Sequence, residues 1–360
     1  MRVFLYFCCS ALMFFFAVGV KGKKKITDII LMGLISSIPA IFSIFLPYAI
    51  SDRAVYANRF LNFYPLAYMN DIGAIFKQTS VEYGFALYNL FLYKIMPDAK
   101  FFFFVSSFIA NFCLLWAFYK MKKYTFYKMV LIYLCTWYPF LSFYLIRQIL
   151  AIGFVAIGMA EYINADDLKK CWKKTFFWFM LGMLFHGTAI VAIIWIVLCE
   201  VIKGKKSINR LFVLLALGVV LMWPILNWVL NWTVFQNKFL GSRTVQTISV
   251  EVFMKGAPML LAAVLGVLYR NRLYLKEPKI DRYIIGSLFF GFMWIYAINS
   301  YWVFRFSFYG IFLFCGLMSI LKKWLLNQKF AKYIYILVIF ISTVIFYREL
   351  ILYMNLVFIE

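Results

Sequence analysis

Residues 141–158 read LSFYLIRQILAIGFVAIG, and residues 298–316 read INSYWVFRFSFYGIFLFCG. Each stretch is apolar, and each carries one arginine, Arg147 or Arg305, between two hydrophobic runs. A cation at the centre of a membrane-spanning helix costs about 2.5 to 3.5 kcal/mol, so it is kept mainly where an anion or a water-filled cavity receives it. The two arginines therefore predict an anionic ligand inside a membrane protein.

The composition of the whole chain indicates the same class. Hydrophobic residues make up 66% and charged residues 14% of the 360 residues, and the mean hydropathy is +0.87. Average soluble domains contain about 25% charged residues. We therefore predict an all-α polytopic membrane protein that forms a single multipass domain over residues 1–360.

The net charge of +23 could indicate nucleic-acid binding, but its distribution argues against such a partner. Lysines and arginines form short clusters between apolar runs, which is the positive-inside pattern of membrane proteins. We place all of these clusters in the cytoplasm. They are residues 21–25, 120–128, 169–174, 203–210, 270–282 and 322–332.

The apolar runs between the clusters predict about ten transmembrane helices, since each is close to the ~20 residues that a helix needs to cross a bilayer. The polar segments 48–82 and 235–252 are predicted to be extracytoplasmic loops, long enough to form a lid or vestibule. The predicted spans are 3–20, 26–47, 101–119, 129–145, 147–163, 211–234, 253–269, 283–300, 305–321 and 333–352.

Residues 175–200 do not fit this scheme, because at ~1.5 Å per residue they cannot cross a ~30 Å core twice. Residues 176–198, FFWFMLGMLFHGTAIVAIIWIVL, carry their one strongly polar side chain at His186, beside Gly187. Non-helical backbone at that depth must face protein or a water-filled cavity. We predict a broken or re-entrant helix pair with His186 at its tip. The alternative is one long helix with a neighbouring basic cluster outside.

The predicted topology gathers the remaining polar side chains on the extracytoplasmic side. Arginines beside a carboxylate and an imidazole suit a transferase whose leaving group is a phosphate, since arginine binds the departing anion and the other groups accept a proton from an attacking hydroxyl. The chain has one histidine and no CxxC spacing, so no metal site is expected. The candidate residues are Asp52, Tyr56, Glu82, Arg147, Gln148, His186 and Arg305.

Each assignment has a purely structural alternative. His186 could be a core histidine that donates to a carbonyl, and Arg147 and Arg305 could anchor their helices at the interface. Glu82 could cap the apolar stretch EYGFALYNLFLYKI, residues 82–95.

Five segments follow one another in a recognisable order: SDRAVYANRF (51–60), VEYGFALYNLF (81–91), FYLIRQILAIG (143–153), MLGMLFHGTAIV (180–191) and YWVFRFSFYG (301–310). Their order resembles the motifs of the EpsG family, multipass polymerases of bacterial exopolysaccharide that are related in role to the Wzy O-antigen and capsule polymerases. The resemblance extends roughly over residues 1–320. It implies a fold similar to the membrane-embedded GT-C-like glycosyltransferases, in a bacterial cytoplasmic (inner) membrane.

The resemblance also implies the substrate and the matching residues. Such proteins join oligosaccharide repeat units carried on undecaprenyl diphosphate, as donor and acceptor, without a cofactor, and a partner protein can set the chain length. Family members commonly carry an arginine shortly before the aspartate, where FLPYAISD (45–52) has none, so Arg53 or Arg59 is expected to substitute. The family motifs fall on Asp52 with Tyr56, Glu82 with Gly84, Arg147 with Gln148, His186, and Arg305.

On this interpretation Arg147 and Arg305 hold the donor diphosphate and stabilise it as it leaves, so that no metal is needed. Glu82 or His186 deprotonates the acceptor hydroxyl while Asp52 orients it, and direct displacement inverts the anomeric centre. Tyr56, Gln148 and Arg53 contribute to substrate binding. The sequence does not decide which group is the base.

Two other functions share some of these features with the polymerase. A lipid-linked oligosaccharide flippase or other secondary transporter would also hold arginines in a wet cavity, but related halves and polar groups near the midplane are expected there. A membrane O-acyltransferase would use an intramembrane histidine as base, with a second histidine or an Arg-His pair near a cytoplasmic donor entrance. The one-sided collection of charged residues favours the polymerase.

Overall fold

The computed structural model describes most of the chain. Helix accounts for 89% of the structure, and no strand occurs in the described part. The predicted first span, 3–20, and nearly all of the predicted loop 235–252 lie outside it. The described residues are 25–46, 48, 52–63, 82–121, 123–134, 136, 141–202, 206–217, 250–275, 277–296, 303–325 and 329–355.

The helices are numbered in chain order. They are α1 (Lys25–Ile44), α2 (Arg53–Asn58, continued by a π-helical turn over Arg59–Phe63), α3 (Tyr83–Ile95), α4 (Ala99–Lys120), α5 (Lys123–Leu134), α6 (Ile146–Asn164), α7 (Leu168–Phe185), α8 (Val191–Val201), α9 (206–217), α10 (Val250–Tyr274), α11 (Ile280–Tyr296), α12 (Phe304–Ser307), α13 (Ile311–Leu325) and α14 (Lys329–Asn355).

Four of the predicted spans are confirmed as apolar helices of membrane-spanning length. Among the described residues, four helices are long and apolar enough to cross a membrane: Ile26–Ile44, Ala99–Lys120, Ile146–Asn164 and Phe304–Lys322. They coincide with the predicted spans 26–47, 101–119, 147–163 and 305–321. The protein is therefore an integral membrane protein built from apolar helices.

Other predicted spans differ in their bounds. The predicted span 129–145 begins inside α5, which ends at Leu134, and residues 141–145 form a turn before α6. Of the predicted span 211–234, the described part is helical to residue 217. The short apolar helix α3 is not among the predicted spans.

The predicted helix break is found at His186. Helix α7 begins after Asp167, whose side chain accepts a hydrogen bond from the backbone N–H of Lys169 at 3.1 Å. It ends at Phe185, because His186 is extended (φ −157°, ψ 118°). A single 3-10 turn, Gly187–Ile190, then leads into α8. The backbone is therefore irregular at the one polar position of this apolar segment.

The chain divides into two compact units, and each is described by itself. The first comprises residues 1–192 and 343–360. Its centre is α6, which packs against α4 on one side and α7 on the other, while α1 packs on α4 and α3 contacts α7 and α4. Small residues permit the close packing, since a Cβ on Gly182 of α7 would lie 2.8 Å from Val155 Cγ2 of α6.

The second unit comprises residues 193–342. In it α10 packs along α11, and α13 contacts both helices. An ion pair joins the last turns of α10 to the start of α11. In it Arg270 donates to both carboxylate oxygens of Asp281, at 2.6 and 2.5 Å. Trp195, which is fully buried, donates its indole N–H to the carbonyl of Arg282 at 3.2 Å.

Candidate functional site

An ion pair between Glu82 and Arg147 forms the centre of the candidate site in the first unit. Arg147 lies in the first turn of α6 and donates from Nη1 to Glu82 Oε2 at 2.8 Å. The other carboxylate oxygen, Oε1, accepts the backbone N–H of Gly187 at 3.0 Å. One carboxylate thus joins the start of α3, the start of α6 and the break after α7.

The ion pair is accessible rather than sealed in the core. The side chain of Arg147 is 20% exposed and that of Glu82 is 26% exposed. A solute can therefore reach both charged groups without opening the core. Within the described residues the bonds of Arg147 use only part of the N–H donors that a guanidinium carries. The group can therefore receive a second anion.

The capping alternative for Glu82 is confirmed in position only, because Glu82 is the N-cap residue of α3. Glu82 does occupy the residue before α3, but its side chain makes no hydrogen bond to the first turn of that helix. The carboxylate crosses instead to α6 and to Gly187, residues far away in the sequence.

Gly84 explains how Glu82 reaches these partners. A Cβ at position 84 would lie 2.7 Å from Leu184 Cβ and 2.8 Å from the Leu184 carbonyl oxygen, so α3 lies directly on the backbone of α7. That close approach brings the residue two positions earlier, Glu82, to the break that follows Leu184 and Phe185. The Glu-x-Gly spacing thus has a steric cause.

We predict that Gly84→Ala displaces α3 and separates Glu82 from Gly187. The added methyl group meets backbone as well as side-chain atoms, so the clash cannot be relieved by a rotamer change. We expect a cost of roughly 1 to 3 kcal/mol, seen as a lower Tm of the purified protein, together with loss of activity.

The matched control for Gly84 is Gly33→Ala in α1, where a Cβ would meet nothing within 4 Å. Alanine there lowers the conformational entropy of the unfolded chain and favours the helix, so it should leave Tm unchanged or raised. Equal Tm and activity for Gly84→Ala and the parent protein would contradict the packing argument.

Tyr56 forms the side of the site next to Arg147. Its hydroxyl oxygen accepts a hydrogen bond from Arg147 Nε at 3.4 Å, and its ring meets Phe85 edge-on, with centroids 5.9 Å apart. The ring of Phe85 in turn lies against the ring of Phe185, the last residue of α7, with centroids 6.4 Å apart. An aromatic wall therefore runs from α2 through α3 to the helix break.

Arg53 has contacts of a different kind from Arg147. It is fully buried, and it donates to the backbone carbonyls of Phe143 at 2.8 Å, Ser43 at 2.8 Å and Leu46 at 3.2 Å. Its guanidinium carbon lies 3.8 Å from the ring centroid of Phe103. The cation thus caps the end of α1 and holds the turn that leads into α6, as expected at the negative end of a helix.

The remaining candidates occupy other positions. Asp52 precedes α2, one turn before Tyr56, and its side chain makes no hydrogen bond to that helix. Gln148 follows Arg147 in α6 and is buried, at 2% exposure. Arg305 lies in the short helix α12 of the second unit, where it is partly buried. Arg59, the other possible substitute for the missing family arginine, begins the π-helical turn.

His186 is buried at the helix break, and its ring nitrogen Nδ1 faces Thr188. The backbone N–H of Thr188 donates to Nδ1 at 3.3 Å, and the Thr188 hydroxyl lies 2.6 Å from the same nitrogen. The imidazole therefore caps the 3-10 turn that follows it.

Sequence reasoning placed the helix break but missed the partners that complete it. Thr188 and the backbone N–H of Gly187 were not singled out, although both lie inside the HGT tripeptide at residues 186–188. A glycine and a threonine directly after a helix-ending histidine are the residue types that supply a turn and its hydrogen bonds. That composition was the available signal.

Comparison with protein families decides the membership of the chain. The model of the EpsG family matches residues 30–357, which is nearly the whole sequence. The chain belongs to the EpsG family. A comparison with curated proteins and with solved structures returned no match. Membership in the EpsG family, together with the apolar helices, suggests a polymerase-like membrane protein of the Wzy type.

Proposed function

We propose that this EpsG-family protein is a polysaccharide polymerase, an inverting and metal-independent glycosyltransferase. It joins oligosaccharide repeat units carried on undecaprenyl diphosphate at the extracytoplasmic face of a bacterial cytoplasmic membrane. The observation that carries the proposal is the partly exposed ion pair of Arg147 and Glu82, which stands at the junction of α3, α6 and the break after α7.

Arg147 has the chemistry to bind the donor. A guanidinium recognises phosphate oxygens with paired N–H donors, and Tyr56 and Glu82 fix its orientation before the substrate arrives. A fixed cation in a site of low dielectric constant stabilises the diphosphate as the glycosidic C–O bond breaks. We propose that Gln148, the next residue of α6, also contacts the donor. Arg305 belongs to the second unit, and its role toward an anionic ligand stays a prediction from the sequence.

The acceptor needs a group that removes its hydroxyl proton. Glu82 and His186 are the candidates, joined through Gly187, and we propose that Asp52 orients the acceptor from the start of α2. Direct attack by the acceptor oxygen on the anomeric carbon then inverts that centre. Arg53 is fully buried and donates to three backbone carbonyls. We propose that it positions α2 and α6.

A strain that lacks this protein should accumulate lipid-linked single repeat units in place of long polymer. The measurement is mass spectrometry of extracted lipid-linked intermediates. In intact spheroplasts these units should be accessible to a membrane-impermeant probe.

Other outcomes of that experiment would contradict the polymerase. Single units confined to the cytoplasmic side would identify a flippase, and polymer of normal length that lacks only its acyl groups would identify an O-acyltransferase.

A further inference from the structure

His186 is the single histidine of the chain, and its contacts fix which ring nitrogen carries the proton. The Nδ1 atom lies 3.3 Å from the backbone nitrogen of Thr188. A backbone N–H can only donate, so Nδ1 must be the acceptor and carry no proton. A neutral imidazole with this arrangement carries its proton on Nε2. The Thr188 hydroxyl, 2.6 Å from Nδ1, can donate to the same lone pair.

This tautomer is unsuited to a general base. A base needs a lone pair directed at the proton that it removes. The lone pair of Nδ1 already receives Thr188, while Nε2 presents an N–H group. Shifting the proton to Nδ1 would set two N–H donors against each other and would remove the cap from the 3-10 turn over Gly187–Ile190.

We propose that Glu82 is the base and that His186 is a positioning residue, which holds the 3-10 turn beside Glu82 through Nδ1. The proposal rests on the proposed polymerase function. Glu82 is adjacent to the histidine, since its Oε1 accepts the N–H of Gly187, the next residue. A carboxylate oxygen retains further lone-pair positions after accepting one hydrogen bond.

The transfer then balances without a proton from the imidazole. The acceptor hydroxyl gives its proton to the Glu82 carboxylate, and its oxygen bonds to the anomeric carbon. The bond from that carbon to the diphosphate oxygen breaks, and its electron pair leaves with the polyprenyl diphosphate. Arg147 neutralises part of this charge, and the protonation of His186 does not change during the transfer.

The tautomer can be measured without substrate. Because the chain has one histidine, protein labelled with 15N-histidine gives the two ring nitrogens of His186 alone. At neutral pH we expect an unprotonated Nδ1 and a protonated Nε2. A protonated Nδ1, alone or together with Nε2, would overturn the proposal. Since this readout is independent of turnover, it distinguishes a failure of the inference from a failure of the polymerase function.

Two variants test the role of the ring in turnover. Asparagine places a carbonyl oxygen near the position of Nδ1, where it can accept the N–H of Thr188, whereas alanine supplies no acceptor. We expect His186→Asn to keep at least tenfold more polymerising activity than His186→Ala, at equal amounts in the membrane. Equal loss in both variants, as removal of a base would give, would overturn the assignment.

Discussion

We expect the replacement of Arg147 with alanine to stop the growth of long polymer, so that lipid-linked single repeat units accumulate instead. Removal of one preorganised donor to a developing anion typically lowers the rate about 10²- to 10³-fold. Arg147 is placed for such a role by bonds to both Glu82 and Tyr56. The measurement is polymer length on a gel, with mass spectrometry of the lipid-linked intermediates.

Arg147→Lys separates charge from geometry. Lysine keeps the positive charge but lacks the planar fork of donors, so we expect an intermediate loss. The matched control is Arg272→Ala, because Arg272 is an exposed arginine near the end of α10. Polymer of normal length from Arg147→Ala, at wild-type abundance in the membrane, would remove Arg147 from the mechanism.

The sequence alone predicts the long apolar helices and the helix break. Local hydropathy predicts α1, α4 and α6 well, because the length of a membrane span is fixed by the bilayer and not by distant contacts. The break at His186 was predictable for a related reason. A polar side chain beside a glycine in an apolar segment is a local feature, and its cost is local too.

The partners of the arginines were beyond such reasoning. An arginine needs oxygen acceptors, but the sequence does not show whether backbone carbonyls, a carboxylate or a ligand provide them. Arg53 has three carbonyls from α1 and the turn before α6, whereas Arg147 has a carboxylate and a phenol. Both were candidates for binding the diphosphate, and only tertiary packing distinguishes them.

The position of Glu82 likewise depended on packing. Its distance from Arg147 follows from the contact of Gly84 with the backbone at Leu184, which joins residues one hundred positions apart. A short helix such as α3 has too weak a hydropathy signal to be placed against α7 from its own sequence. The motif spacing indicated that Gly84 mattered, and the structure supplies the reason.

The second large effect is expected for Glu82→Gln. Glutamine keeps the size of the side chain and a hydrogen-bond acceptor for Gly187, but it cannot accept a proton from the acceptor hydroxyl. Loss of a general base typically costs about 10² to 10⁴ in rate. We therefore expect turnover to fall in that range, while the protein remains folded.

Binding of the donor should change in the opposite direction. The Glu82 carboxylate lies 2.8 Å from Arg147 Nη1, so it competes with a phosphate oxygen for the same cation. Removing its charge should tighten the binding of undecaprenyl diphosphate to purified protein severalfold while turnover falls. A purely structural role for Glu82 would weaken binding and turnover together, and that result would contradict the mechanism.

A second ion pair in the same helix provides the control. Glu161 pairs with Lys120 near the other end of α6, roughly 21 Å from Arg147 at ~1.5 Å per residue, and its side chain is similarly exposed, at 20%. Glu161→Gln, like Glu82→Gln, removes one carboxylate charge from an ion pair that involves α6 or its start, so any general effect on folding or insertion appears in both variants. Only Glu82→Gln should combine slower turnover with tighter diphosphate binding, because only Glu82 shares its arginine with the substrate.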